Sequence, residues 1–167
     1  SNNVVREFAE NGTLLQTFGS SVSGPYLGQL NGPYSVAVDG QGNVYVYDKG
    51  NSRVEVFNSS GQALRSWPEL STFMNQMRFD ASGYLWEVDF SNAHIYVYDI
   101  EGNLKKTLGT SGNGADQFVN PSGFDFDGAG NLFVADWNNS RVDKWALCAN
   151  VITTSTFTPT GSITPTF

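Results

Sequence analysis

The sequence predicts an all-β protein built from repeated four-stranded antiparallel units. Three observations predict it. One pattern recurs three times: Asp39-Gly-Gln-Gly42-Asn-Val-Tyr-Val-Tyr-Asp48, Asp80-Ala-Ser-Gly83-Tyr-Leu-Trp-Glu-Val-Asp89 and Asp127-Gly-Ala-Gly130-Asn-Leu-Phe-Val-Ala-Asp136. Turn residues fall at the same offsets in each copy, and the runs between them are β-branched and aromatic. The second aspartates lie 41 and then 47 residues apart, a spacing at which each copy folds as one supersecondary unit.

Each copy continues in the same way. An asparagine follows (Asn51, Asn92, Asn139), then a basic residue (Arg53, His94, Arg141), an aliphatic one (Val54, Ile95, Val142) and an aromatic one (Phe57, Tyr98, Trp145). In the first copy Ser35–Val38 is a short apolar strand. Asp39-Gly40-Gln41-Gly42 is turn chemistry, because Asp bonds nearby backbone and Gly accepts positive φ. Val44–Tyr47 is a second strand, and Arg53–Phe57, alternating polar and apolar, a third. Asn58-Ser59-Ser60-Gly61 turns into an outer strand, Ala63–Trp67. First strands are expected near 34–38, 76–80 and 122–126, second strands near 43–47, 84–88 and 131–135, and third strands near 53–57, 94–98 and 141–145.

Four short strands in roughly 40–45 residues make one blade of a β-propeller. A blade cannot bury both sheet faces alone, so blades stack on one another. The boundaries follow: a half blade at 4–18, where Val4–Phe8 and Leu14–Phe18 read as the last two strands of a blade, then blades at about 33–67, 74–108 and 121–152. A Thr/Ser/Pro-rich tail, 153–167, carries Phe157, Ile163 and Phe167 as spaced anchors and is expected to add one or more strands.

These residues resemble the NHL repeat, named for an Asn-His-Leu element. Here that element reads Asn92-Ala-His94-Ile95, with Arg53 and Arg141 in the histidine's place. Gly109-Thr-Ser-Gly112-Asn-Gly114-Ala-Asp-Gln117-Phe118-Val-Asn-Pro121 is similar to the family's glycine-rich linker, and Gln29-Leu30-Asn-Gly-Pro33 is a looser copy. The resemblance covers about residues 4 to 145. It implies a propeller, and a family of mostly binding scaffolds with a few lyases among its relatives. Rings of this family usually have six blades, so either this ring is smaller or other polypeptide completes it.

Composition excludes several classes. Of the 167 residues 40% are hydrophobic and 15% charged, and the net charge of −7 has the wrong sign for a nucleic-acid binder. No apolar run approaches the roughly 20 residues of a membrane span. Cys148 stands alone, which excludes an internal disulfide framework, and reads as a small buried residue. The opening Ser1-Asn2-Asn3-Val4 lacks the features of a signal peptide, as expected of a mature, truncated or cytoplasmic chain. Three sequons at Asn11, Asn58 and Asn138, together with the Thr-rich tail, point instead to a glycosylated protein outside the cell or on its surface.

The middle unit departs from the pattern. Its linker is lost, since Trp67-Pro68 leads almost directly to Met74. Glu87 takes the place of Val46 and Val134, and Arg78 that of Ala37 and Asp125. With Ala81 and Ser82 as the hairpin tip, Arg78 falls opposite Leu85 on the face of Glu87, and the two are expected to pair, because a lone buried carboxylate is costly.

Catalytic constellations are nearly absent. One histidine cannot build a site of several, no metal site or cofactor loop is legible, and the chain reads as no enzyme. Asp39, Asp48, Asp80, Asp89, Asp127 and Asp136 read as turn caps. Phe90 and Trp137, directly after the second aspartate of their units, are the candidate binding residues, suited to carbohydrate or protein contact. The expected function is a non-catalytic interaction module. It joins copies of itself or further blades by strand exchange, and an extracellular filament is one form of this. The alternatives are a glycan- or peptide-binding propeller and a fragment of a larger lyase-like one.

Overall fold

The computed structural model describes residues 3–71, 73–147 and the backbone of 159–163. Cys148 and the remainder of the tail lie outside the described residues. The chain divides into two compact units, Ser1–Leu70 and Ser71–Phe167.

The first unit holds a two-stranded sheet, β1 (Val5–Phe8) and β2 (Leu14–Phe18), and a four-stranded antiparallel sheet, β3 (Pro33–Val38), β4 (Val44–Asp48), β5 (Arg53–Phe57) and β6 (Ala63–Pro68), in that order. Every residue of β4 is buried, whereas β6 alternates between half-buried and exposed positions. The inner strands are therefore covered on both faces and the outer one is not. Phe18, Leu30, Val44, Val46 and Phe57 form the core, with Phe18 edge-on to Phe57 at 6.1 Å.

The second unit repeats the sheet twice. β7 (Met74–Phe79), β8 (Leu85–Asp89), β9 (His94–Tyr98) and β10 (Leu104–Leu108) form one blade. A short parallel pair follows, β11 (Thr110–Ser111) and β12 (Gln117–Phe118). The last blade is β13 (Pro121–Phe126), β14 (Leu132–Asp136), β15 (Arg141–Trp145) and β16 (Pro159–Ile163), so five residues of the Thr-rich tail supply its outer strand. The two blades share a core of Trp86, Val88, Ile95, Phe118, Phe124, Leu132, Val134 and Trp145, among others. Among the described residues no helix is long and apolar enough to cross a membrane.

Six hairpins turn by one device. Gly12, Gly42, Gly61, Gly83, Gly102 and Gly130 all adopt φ between 80° and 87°, a left-handed conformation that glycine takes without a Cβ clash. In five of them an Asx side chain opens the turn. Asp39 Oδ1 accepts from the N–H groups of Gln41 and Asn43, and Asn58, Asp80, Asp99 and Asp127 do the same two and four residues on.

The glycine adds a bulge residue to each turn, and this corrects the expected Arg78–Glu87 pair. Gly83 shifts the hairpin so that Phe79 faces Leu85, Arg78 faces Trp86 and Met77 faces Glu87. A slip of one residue moves a side chain to the opposite face of the sheet. Arg78 therefore leaves the face of Glu87 and pairs with Asp125 at 2.7 Å, in an exposed bridge to the next blade. Second strands also end one residue later than expected, because Asp48, Asp89 and Asp136 belong to β4, β8 and β14 and are fully buried.

Candidate functional site

The loops that follow the second strands are set by buried ionic clusters. Asp48 Oδ2 accepts from Asn51 Nδ2 and from Arg53 Nε at 2.9 Å, while its Oδ1 accepts the N–H of Asn31. Arg53 then donates to the carbonyls of Pro25, Tyr26 and Gln29 and to Glu55. The last blade repeats this arrangement. Asp136 holds Asn139, Arg141 and the N–H of Val119, and Arg141 donates to the carbonyls of Asn113, Gly114 and Gln117 and to Asp143. Asp48 and Asp136 thus fasten the incoming linker, which a turn cap does not do. Asp89 keeps to its own turn, accepting from the N–H groups of Ser91 and Asn92 and from Asn92 Nδ2.

The middle blade has no linker to hold, and at the position of Arg53 and Arg141 it has a histidine. That residue, His94, meets the Gly109 carbonyl through Nδ1 at 2.8 Å, just past the end of β10. The arginine-for-histidine exchange in the sequence thus accompanies the linker. Five N–H donors in a planar fork can gather several carbonyls, and an imidazole cannot.

Glu87 belongs to the same pattern. Val46 faces Glu55 in the first complete blade, Glu87 faces Tyr96 in the middle one, and Val134 faces Asp143 in the last. One carboxylate occupies this cross-strand pair in every blade, and in the middle blade it has moved to the neighbouring strand. Glu55 and Glu87 are fully buried, and Asp143 nearly so. Burial pushes the carboxyls of Glu55 and Asp143 above their usual range, and the neighbouring arginines only partly offset it. Burial also raises the Tyr45 hydroxyl to about 12, with the Asp39 carboxylate adding to the effect.

The last blade's cluster places the candidate binding residues. Val119 is tied to Asp136 by its N–H and receives the N–H of Asn138 on its carbonyl at 3.1 Å. This fixes Asn120 next to the loop Trp137–Ser140. Asn120 sits at φ 53°, where the first unit has Gly32 at φ 64°. Its Nδ2 donates to the Phe90 carbonyl at 3.0 Å, and its Oδ1 accepts from Asn138 Nδ2 at 2.7 Å. The rings of Phe90 and Trp137, 47 residues apart in the chain, lie 5.7 Å from centre to centre at 45°. Phe73 backs Phe90 at 5.8 Å. Phe90 is half-buried, and Trp137 is 63% exposed. At the corresponding place in the first unit, Lys49 Nζ lies 4.5 Å above the Tyr34 ring.

The sequons fall on turns with different work. Asn11 Oδ1 accepts the N–H of Thr13, Asn58 caps its hairpin, and Asn138 holds Asn120. Sequence reasoning missed Asp99, whose turn lacks the repeat's second-strand context, and the role of Asn120. Its place before Pro121, matching Gly32 before Pro33, was a usable signal.

Residues 30–57 match the NHL repeat. No curated protein sequence matches the chain. A solved streptogramin B lyase superimposes with a TM-score of 0.64 at 14% identity, over 86% of this chain and 44% of its own. A protein from Lactobacillus plantarum gives 0.64 at 16%, over 93% and 46%. The virginiamycin B lyase of Staphylococcus aureus gives 0.56 at 16%, over 69% and 38%. The chain thus spans less than half the length of each of these three. At such identities the likeness shows the fold, that of β-propeller blades.

Proposed function

We propose that this propeller segment works by contact rather than catalysis, and that the half blade β1–β2 is the joint at which it receives further polypeptide. The edge of β1 carries the reading. Among the described residues β1 has a strand neighbour on one side only, whereas the other blades have four strands. Phe8, Leu14 and Leu15 on this half blade each leave about half their surface open. Unpaired backbone groups beside exposed apolar side chains recruit strands. In a solution of this chain alone the donor is a second copy, and a head-to-tail contact of that kind closes into a ring or continues as a filament. The tail segment Pro159–Ile163 already pairs with β15, so a copy that donates it must first withdraw it from its own blade.

His94 supports a non-catalytic reading, since the sequence has one histidine and its Nδ1 is engaged by a backbone carbonyl. Light scattering across a wide concentration range tests the proposal. Mass that rises with concentration is expected, and a monomer at every concentration overturns it. The same reading puts the chain outside the cell with sugar on the sequons at Asn11 and Asn58. Native protein whose mass is unchanged by enzymatic deglycosylation contradicts that part.

A second reading, a segment of a larger lyase-like propeller, is favoured by the lyases among the similar structures, which run to more than twice the aligned length. Turnover of a streptogramin B antibiotic by this chain, alone or joined to further blades, would support it.

A further inference from the structure

We infer that the face formed by Phe90, Trp137, Asn120 and Asn138 binds a neutral carbohydrate chain. This site lies within the second unit and does not depend on the edge of β1.

The first ground is the state of Trp137. A ring 63% exposed is ordinarily free to swing, but this one leans on Phe90, which is backed in turn by Phe73. Its orientation is set while a large part of its surface stays open. The second ground is the support beneath it. Asn120 adopts a left-handed conformation where the first unit uses glycine, and its side chain joins the Phe90 carbonyl to Asn138. Asn and Gly both tolerate that backbone, but only Asn supplies an amide to cross-link two loops. A rigid aromatic ring flanked by fixed amides loses little freedom when it binds.

The third ground is charge. The loops that meet here, Phe90-Ser-Asn-Ala93, Val119-Asn-Pro-Ser122 and Trp137-Asn-Asn-Ser140, contain amides, hydroxyls and aromatics but no Asp, Glu, Lys or Arg. The matching loop of the first unit starts with Lys49, held over Tyr34. An acidic glycan or a charged peptide would find no counter-ion on these three loops. A neutral sugar ring offers C–H groups to an aromatic face and hydroxyls to amides, and it matches what these loops present.

The test titrates the full chain, made in a host that adds no sugar to Asn138, with neutral hexasaccharides of glucose, mannose and N-acetylglucosamine. Binding is read by saturation-transfer NMR and calorimetry. Saturable binding of at least one is expected. Trp137→Ala should weaken it by about tenfold, the scale of one lost aromatic contact. Asn120→Gly, which keeps the backbone conformation, should weaken it several-fold with the melting temperature nearly unchanged, and Lys49→Ala should leave it unaltered. No saturable binding by any of the three sugars overturns the inference. So does binding that survives Trp137→Ala, or a neutral peptide library that binds this face when the sugars do not.

Discussion

Arg141 donates from Nη2 to the carbonyl of Gln117 at 2.7 Å, across 24 residues of sequence. Arg53 and Gln29 make the same bond at the same length and separation. Both guanidiniums are nearly buried beside a fully buried aspartate, Asp136 or Asp48. Removing one arginine leaves two buried carboxylates and three linker carbonyls without their shared donor. Arg141→Met, which keeps the side-chain bulk, is expected to destabilise by about 3–5 kcal/mol in urea unfolding. A loss below about 1 kcal/mol would mean the linker is held by other contacts.

The carboxylate shared across each blade yields a double-mutant test. Tyr96→Glu puts a second buried carboxylate opposite Glu87 and should destabilise strongly. Adding Glu87→Val recreates the arrangement of Val46 with Glu55 and should recover part of the loss. Expected coupling is about 1–3 kcal/mol in the stabilising direction. Additive losses would show that the two positions do not share one site.

Asp99 gives a pH dependence. Burial works to raise its carboxyl, but Lys105 at 2.7 Å and the bonds from Asn103 prevail and bring it from 3.8 to about 2. A carboxyl depressed in the folded state contributes stability that is complete above its unfolded value and lost as pH falls through the folded one. The contribution should therefore fade between about pH 4 and pH 2. Asp99→Asn should flatten the acid limb of a stability–pH curve in that window, and an unchanged limb would contradict the assignment.

Glycines separate into those that need to be glycine and those that do not. A Cβ on Gly109, at φ 80°, would stand 2.4 Å from the Phe118 ring and 3.0 Å from the Ala93 carbonyl. Gly128 meets nothing and has no positive φ. Gly109→Ala should cost about 1–3 kcal/mol through strain and overpacking, and Gly128→Ala should stay within about 0.5 kcal/mol, both read by thermal melting.

The repeat, its turns and its third strands were legible because Asp, Gly and alternating apolar residues act over a few positions. The register of the β7–β8 hairpin was not. Counting Ala81 and Ser82 as the tip omits the bulge that Gly83 adds, and that one residue moves Arg78 from Glu87 to Asp125. The ionic clusters were hidden for a different reason. Arg53 and Arg141 act on carbonyls 24 to 28 residues upstream, and carbonyls leave no mark in sequence. The trace that existed was the coincidence of arginine with a glycine-rich linker and of histidine with its loss. Phe90 and Trp137 were identifiable singly, but their stacking depends on how two blades meet within the second unit.

Hydrogen exchange at the backbone amides of Val5–Phe8 tests the central claim, that β1 is an edge completed by further polypeptide. Slow exchange that strengthens as the protein is concentrated, approaching that of the buried strand Arg53–Phe57, is the expected result. Fast exchange at every concentration of those β1 amides that do not bond β2 would mean that no further strand pairs there and would contradict the account.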